Sequence, residues 1–381
     1  TPYYIGDVIK DEKTLIARTP EKFREGGIEV LLNKEARAVN YEKNYVELAG
    51  GEKISFDFLV LATGTKAFKP AIPGIDSPGV FSLKNLEDAI RIKTYLRQNK
   101  CRKVIIIGAG FIAMEMSEAL HAAGIKTTIF HRGELPANRW DPELSRVMLE
   151  ELRNNSVEFV THAETKTINN SGKTALTAHT SQGEWEAEMI IAAVGVKPNV
   201  ELARSMDLKI GASGAIAVNH FQQTSKEFVY AAGDCCESFH RVTGRWVNIP
   251  LGDIANKQGR VTGFNIGGKK IRFAGIVGAQ SFRLFGLECA ATGIDEKEAQ
   301  NAGFEPVSNL VWGNAIARNM GQKKLGLKLI ADKLSGRLLG AQAVGEAGAV
   351  SRINALSVAL WAGLTIDDVG YLDLAYSPPY S

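Results

Sequence analysis

The sequence predicts an α/β protein in three parts, and three stretches carry that prediction. The first is Lys103 to Glu118, KVIIIGAGFIAMEMSE, which reads as a strand, a glycine turn and the start of a helix. The second is Phe58 to Gly64, FLVLATG, an apolar strand that stops at small residues. The third is the alternating pattern after Phe273, with strands at Leu325 to Ile330 and Leu338 to Val344 and an apolar helix from Ala349 to Trp361.

Val104 to Ile107 are apolar without alternation, as in a strand covered on both faces. Gly108 allows a tight turn, Gly110 keeps side-chain atoms away from a pyrophosphate, and Ala113 lets the helix lie close to the strand. The helix opening at Phe111 and Ile112 would turn its unpaired N–H groups and partial positive charge towards phosphate. A glycine motif of this form can also mark nothing more than a packed turn. Here a second strand, Lys126 to Phe130, follows the helix after Gly124, as a βαβ unit requires.

Taken in order, residues 1 to 80 are read as mostly strand, with a short helix at Glu21 to Glu25 and a hairpin at Gly50-Gly51. Pro70 and Pro73-Gly74 mark the exit from this first domain. The dinucleotide unit then runs from about Phe81 to Val200 and closes with the strand Met189 to Val196 and a stop at Gly195 to Pro198. After Pro198 the chain returns to the first domain. TSKEFVYAAGD, Thr224 to Asp234, is a short strand ending at Gly233-Asp234, and a helix from about Ile254 to Asn265 follows Pro250-Leu251-Gly252-Asp253. A carboxylate at Asp234 either holds a hydroxyl of a polyol chain near a helix N-terminus or caps a turn. The last part, antiparallel strands plus helices, reads as an α+β domain.

Composition narrows the partners. With 381 residues and 45% hydrophobic content the chain can bury several cores, and a net charge of +3 without blocks of like charge points to neither nucleic acid nor membrane. Four cysteines without metal-ligand spacing fit a reducing cytoplasm. Cys235-Cys236 reads as two small buried side chains rather than a redox couple. At the end of the second strand, where NAD sites of this type carry Asp or Glu for the ribose, stand His131-Arg132, with Arg139 further on. These residues lean towards NADPH or dual use, unless they are plain loop residues.

In this order, Gly108 to Glu115, Ala62-Thr63-Gly64 and Thr224 to Asp234 resemble the FAD-dependent pyridine nucleotide-disulfide oxidoreductases over essentially the whole chain. Leu339 to Asn354 and the closing LDLAYSPPYS look most like the coenzyme A-disulfide reductase, NADH oxidase and persulfide reductase branch. The resemblance implies two interleaved Rossmann-like nucleotide-binding domains and a C-terminal α+β dimerisation domain. Residues 1–80 and 201–268 would form the FAD domain, 81–200 the NAD(P) domain and 269–381 the dimerisation domain of a homodimer.

It further implies that Thr63, Gly64, Gly233 and Asp234 touch FAD, with Leu251, Gly252 and Ala255 near its ring at a helix N-terminus. Gly108, Gly110, Ile112 and Gly195 would line the nicotinamide nucleotide's site. Phe111 matches an aromatic that shields the flavin and Glu115 a residue that places the nicotinamide, each with helix packing as its plain alternative. Tyr376 would reach the partner's active site as a proton donor or stand as a structural tyrosine beside Pro378-Pro379. The family's first βαβ unit and a redox cysteine would fall upstream of Thr1, so the chain is expected to be the middle of a longer enzyme. Where relatives carry Tyr-Tyr-Pro-Gly, this chain has Arg318-Asn319-Met320-Gly321, which weighs against coenzyme A disulfide as the acceptor.

The implied reaction passes a hydride from NADPH or NADH to FAD and on to a disulfide, persulfide or oxygen. Two other readings remain open: a flavin reductase that feeds an iron–sulfur or rubredoxin partner without a redox cysteine, and a silent nucleotide-sensing flavoprotein.

Overall fold

The computed structural model describes residues 1–170, 172 and 175–380. The chain divides into two compact units, one of Thr1–Lys13, Ala67–Gly195 and Val277–Ser381, the other of Thr14–Lys66 and Val196–Ile276.

The first unit is organised by a five-stranded parallel sheet in the order Val80–Ser82, Met189–Ala192, Lys103–Ile107, Lys126–Phe130, Glu158–Val160. Its central strand earns that place by composition: Val104, Ile105, Ile106 and Ile107 are all buried. The Leu86–Gln98 helix starts at a full capping box, Asn85 with Asp88, and Pro142–Asn154 starts at Asp141, whose carboxylate accepts from the Glu143 N–H. On one face Ile105, Ile107, Phe130 and Ile190 meet Ala163, Ile168, Leu176 and Ala187 in one apolar core. All three of the antiparallel strands Thr165–Asn170, Leu176–Thr180 and Gly183–Ala187 contribute to it, through Ile168, Leu176 and Ala187.

The C-terminal part of this unit is a five-stranded antiparallel sheet in the order Gln280–Leu284, Leu287–Gly293, Leu338–Gly345, Lys324–Asp332, Pro306–Asn314. Every residue of Leu338–Gly345 is buried, and the Ala349–Ala362 helix packs on this strand and on Leu287–Gly293.

The second unit holds the antiparallel strands Ala36–Asn40, Tyr45–Leu48 and Lys53–Ser55, the parallel pair Leu59–Leu61 and Val229–Ala231, the hairpin Ser238–His240/Arg245–Val247 and the Gly252–Ile266 helix. Leu61, Val229 and Ala231 pack with Met206, Ile216 and Cys235 in its core.

Several expectations needed correction. The first 35 residues contain no strand among the described elements; they form a Pro2–Ile5 helix, a 3₁₀ turn at Glu12–Leu15 and, as expected, a helix at Pro20–Glu25. Pro at the first helical position and a Thr19 cap favour helix there. Met189 to Val196 is two strands, Met189–Ala192 and Val196–Pro198, because the backbone turns at Gly195 with φ 106°. FLVLATG shortens to Leu59–Leu61, and only one face of it is covered: Leu61 is buried while Val60 is 40% exposed.

Candidate functional site

Two clusters form where the sequence placed its motifs, one in each unit. In the first, Gly108 has φ 107°, and a Cβ on it would lie 2.4 Å from the Ala193 carbonyl oxygen, so glycine is required. Gly110 caps the Phe111–Ala122 helix without any side-chain hydrogen bond to the first turn, and a Cβ on it would meet nothing within 4 Å. The open N–H groups of that turn, with the helix dipole behind them, suit an anionic group.

Beside them, at the carboxyl ends of the parallel strands, lies a cavity of about 570 Å³. Its lining includes Gly108, Gly110, His131, Arg132 and Gly195, five of the sequence-predicted residues. Phe111, Ile112 and Glu115 are not part of that lining. Phe111 is 46% exposed on the first turn of the helix, so core packing does not account for it. Glu115 lies one turn on and is half-buried; burial raises its carboxyl above the usual range, with Glu118 adding to the effect.

His131 and Arg132 are not equivalent. Burial, with Arg132 beside it, lowers the His131 imidazole below its ordinary range, so the fixed positive charge at this strand end comes from Arg132. Arg139, grouped with them on sequence, is engaged elsewhere: it pairs with Glu298, and its carbonyl accepts from Gln342 Nε2 at 3.1 Å. Sequence reasoning missed Glu164 and Asn138, which also line the cavity. Glu164 pairs with Lys166, and that contact, with a smaller share from Arg132, holds its carboxyl below the usual range. The cavity therefore presents an acid as well as a base. The missed signal was position: Glu164 stands just after the strand Glu158–Val160, one strand beyond the usual place for such an acid.

In the second unit, Leu59–Leu61 and Val229–Ala231 run parallel in register, so Thr63-Gly64 and Gly233-Asp234 emerge side by side at their carboxyl ends. Thr63 Oγ1 donates to the Asn199 carbonyl at 2.7 Å, and Asn199 Nδ2 donates back to the Thr63 carbonyl at 2.8 Å. Thr65 Oγ1 donates to Asp234 Oδ2 at 3.3 Å, and Asn248 Nδ2 donates to the Asp234 carbonyl at 2.9 Å. The Gly233 N–H donates to Gln258 Oε1 at 2.8 Å, which ties the turn to the Gly252–Ile266 helix. A Cβ on Gly233 would stand 3.5 Å from that of Ala255. Leu251 caps this helix with no side-chain hydrogen bond, leaving a second open N-terminus. These residues fit a ligand with hydroxyls and a negative charge. Asn199, Gln258 and Thr65 escaped the sequence reading because nothing periodic marks them.

The vicinal cysteines are buried. Cys235 Sγ lies 3.4 Å from the Leu61 and Ala232 carbonyls, and its neighbour and burial push the Cys236 thiol far up. Replacing both by alanine is expected to cost about 1 kcal/mol each and to leave electron uptake unchanged. An anaerobic reductive titration checks this, since loss of one electron pair in the double variant would make the pair a redox couple.

Tyr376 is 72% exposed on an irregular segment of the first unit. It lines a groove of about 950 Å³ with Arg352, Ile316 and Leu374. Arg318–Met320 form a 3₁₀ turn that leaves Met320 54% exposed. Among the described residues no cluster could hold a metal ion, and no helix is long and apolar enough to cross a membrane.

Comparison with known proteins supplies the family. Residues 4–259 match the pyridine nucleotide-disulphide oxidoreductases, and residues 280–381 match the dimerisation domain of the same group. An NAD(P)H sulfur oxidoreductase (CoA-dependent) of Pyrococcus furiosus is 38% identical over all of this chain and 86% of its own length. A coenzyme A disulfide reductase of Staphylococcus aureus is 31% identical, again over all of this chain and 86% of that protein. The structure of an NAD-dependent persulfide reductase from A. fulgidus superposes with a TM-score of 0.96 at 36% identity, covering all of this chain and 72% of that one. The chain belongs to the pyridine nucleotide-disulphide oxidoreductase family, enzymes that use a flavin and NAD(P)H.

Proposed function

We propose that this enzyme is an FAD-dependent oxidoreductase, acting as a homodimer in the cytoplasm, that passes reducing equivalents from NADPH or NADH through the flavin to a small disulfide, persulfide or oxygen. One observation carries the reading: each unit presents an uncapped helix N-terminus together with glycine turns at the carboxyl ends of parallel strands. That arrangement favours nucleotide phosphates and anionic rings. The names of the similar proteins, which concern sulfur, disulfide and persulfide, favour it over a reductase feeding an iron–sulfur or rubredoxin partner.

In this reading residues 1–80 and 201–268 serve FAD, 81–200 the nicotinamide nucleotide and 269–381 the subunit contact. Asp234, with Thr63, Gly64 and Gly233, binds the ribityl and phosphate end of the flavin, while Leu251, Gly252 and Ala255 hold the helix terminus against its ring. Gly108, Gly110, Ile112 and Gly195 bind the nicotinamide nucleotide, Arg132 its 2′-phosphate when present, and Glu164 the ribose hydroxyls. Phe111 and Glu115 order the approach of the nicotinamide, and Tyr376 holds a proton for the acceptor. Hydride chemistry is what the two bound cofactors supply; the chain binds, orients and shields them.

Asp234→Ala in the full-length protein tests the proposal. A charged hydrogen bond contributes about 1.5–3 kcal/mol, so flavin affinity should fall roughly 10- to 100-fold, seen as colour lost on gel filtration. Wild-type flavin content in the variant would refute the assignment. Steady NADPH oxidation with coenzyme A disulfide, polysulfide and oxygen in parallel then separates the acceptors.

A further inference from the structure

One wall of the cavity in the first unit has no regular structure. Residues 133–140 join the Lys126–Phe130 strand to the Pro142–Asn154 helix, and their Asn138 lines the cavity. Such a segment lacks a repeating ladder to hold it, so its position is set by what it is tied to. One tie reaches the glycine turn: Ala137, at φ 51°, donates its N–H to the Ala109 carbonyl at 2.9 Å.

The other ties reach the C-terminal antiparallel sheet. Gln342, 6% exposed, uses both ends of its amide. Its Oε1 accepts from the Asp141 N–H at 2.7 Å, and its Nε2 donates to the Arg139 carbonyl at 3.1 Å. Lys328, its cross-strand partner, is 5% exposed and donates from Nζ to Asp141 Oδ2 at 2.5 Å and Glu296 Oε2 at 2.8 Å. Trp140 packs edge-on against Phe282 of the same sheet, with centroids 5.9 Å apart. A buried ion pair is a poor source of net stability, because desolvation offsets most of the attraction, but it holds its partners to one geometry.

We propose that Lys328 and Gln342 are positioning residues for pyridine-nucleotide binding: through Asp141 and the Arg139 carbonyl they hold residues 133–140 where Asn138 faces the nucleotide. The inference rests on the reading of this cavity as the nucleotide's site. It makes the C-terminal sheet, matched only as a dimerisation domain, part of the apparatus that determines nucleotide affinity.

Two variants test it in the full-length protein. Gln342→Met removes both amide bonds. Lys328→Met combined with Asp141→Asn removes the buried cation and its buried carboxylate, leaves only the half-exposed Glu296 without its cation, and keeps a side chain that can cap the helix. Calorimetric titration with NADPH should show Kd raised about tenfold, since small misplacements of positioning groups cost that much or more. Amide exchange in residues 133–140 should quicken, and kcat at saturating NADPH should hold within about twofold. Lys328→Arg should restore most of the affinity lost on removing the cation.

If wild type binds NADPH and both variants bind it equally well, the inference fails alone. If wild type binds neither NADPH nor NADH, the reading of the cavity fails and takes this inference with it; if it binds only NADH, the same titrations are read with NADH. Variants that do not fold at 25 °C would also overturn it, by showing that the network holds the sheet together rather than the segment in place.

Discussion

Gly108→Val is expected to remove nucleotide binding by wrecking the turn itself, whereas Gly110→Ala should weaken it in a protein that folds normally. At Gly108 the backbone has φ 107°, and an added Cβ would sit 2.4 Å from the Ala193 carbonyl and 3.2 Å from Val194 Cγ1. That carbonyl cannot retreat easily, because the Ala193 N–H is bonded to the Ile107 carbonyl at 2.8 Å. Strain of about 1–3 kcal/mol and overpacking of about 1–3 kcal/mol together predict a loss of roughly 2–6 kcal/mol, visible as a lower Tm. At Gly110 the φ is −84°, ordinary for any residue, and the space is open. Alanine there should change stability by less than about 0.5 kcal/mol while weakening NADPH at least tenfold, about 1.4 kcal/mol, because the methyl occupies the space intended for phosphate. Equal melting temperatures for the two variants, or full affinity in Gly110→Ala, would remove the distinction.

Arg132→Glu should reverse the nucleotide preference. Arg132 is exposed in the cavity, and a guanidinium matches a phosphate in both charge and shape. Loss of a charged contact, worth about 1.5–3 kcal/mol, lowers kcat/KM for NADPH by roughly 10- to 100-fold, and the new carboxylate adds repulsion to the phosphate. NADH, which has a hydroxyl there, should change little or improve. His131→Gln should do far less near neutral pH, because its imidazole is already neutral there. Its folded pKa lies below the usual histidine value, so it gains charge only as the pH falls through that lowered value. NADPH preference in the wild type should therefore rise on the acid side of the histidine range and stay flat above it. A ratio of kcat/KM values unaffected by Arg132→Glu would end the 2′-phosphate assignment.

The glycine turn shows what can be read locally. A buried β-branched run, a glycine forced to positive φ and an amphipathic helix start lie within sixteen consecutive residues, and each leaves its own periodic or compositional mark. The same holds for the Lys126–Phe130 strand and for the Ala349–Ala362 helix, found within one residue of their expected bounds. At the chain's start Pro2–Ile5 and Glu12–Leu15 are helical turns where strand was expected, since such isolated turns are too short to leave a period, whereas the short helix expected at Glu21 to Glu25 is present as Pro20–Glu25.

The sequence by itself determined the βαβ unit, the turns at Thr63-Gly64 and Gly233-Asp234, and the α+β character of the C-terminal sheet, because local backbone preference and hydrophobic spacing suffice for each. That the two turns lie side by side came from the parallel pairing of Leu59–Leu61 with Val229–Ala231. Only the tertiary structure decided which charges serve the cavity. It kept Arg132 there, took Arg139 away to Glu298, brought Glu164 in from the loop after a later strand, and reached across the chain to Asp141 with Lys328. Partners 159 and 187 residues apart leave no spacing to recognise, since what joins them is a fit of charge and shape that exists only once the sheets have formed.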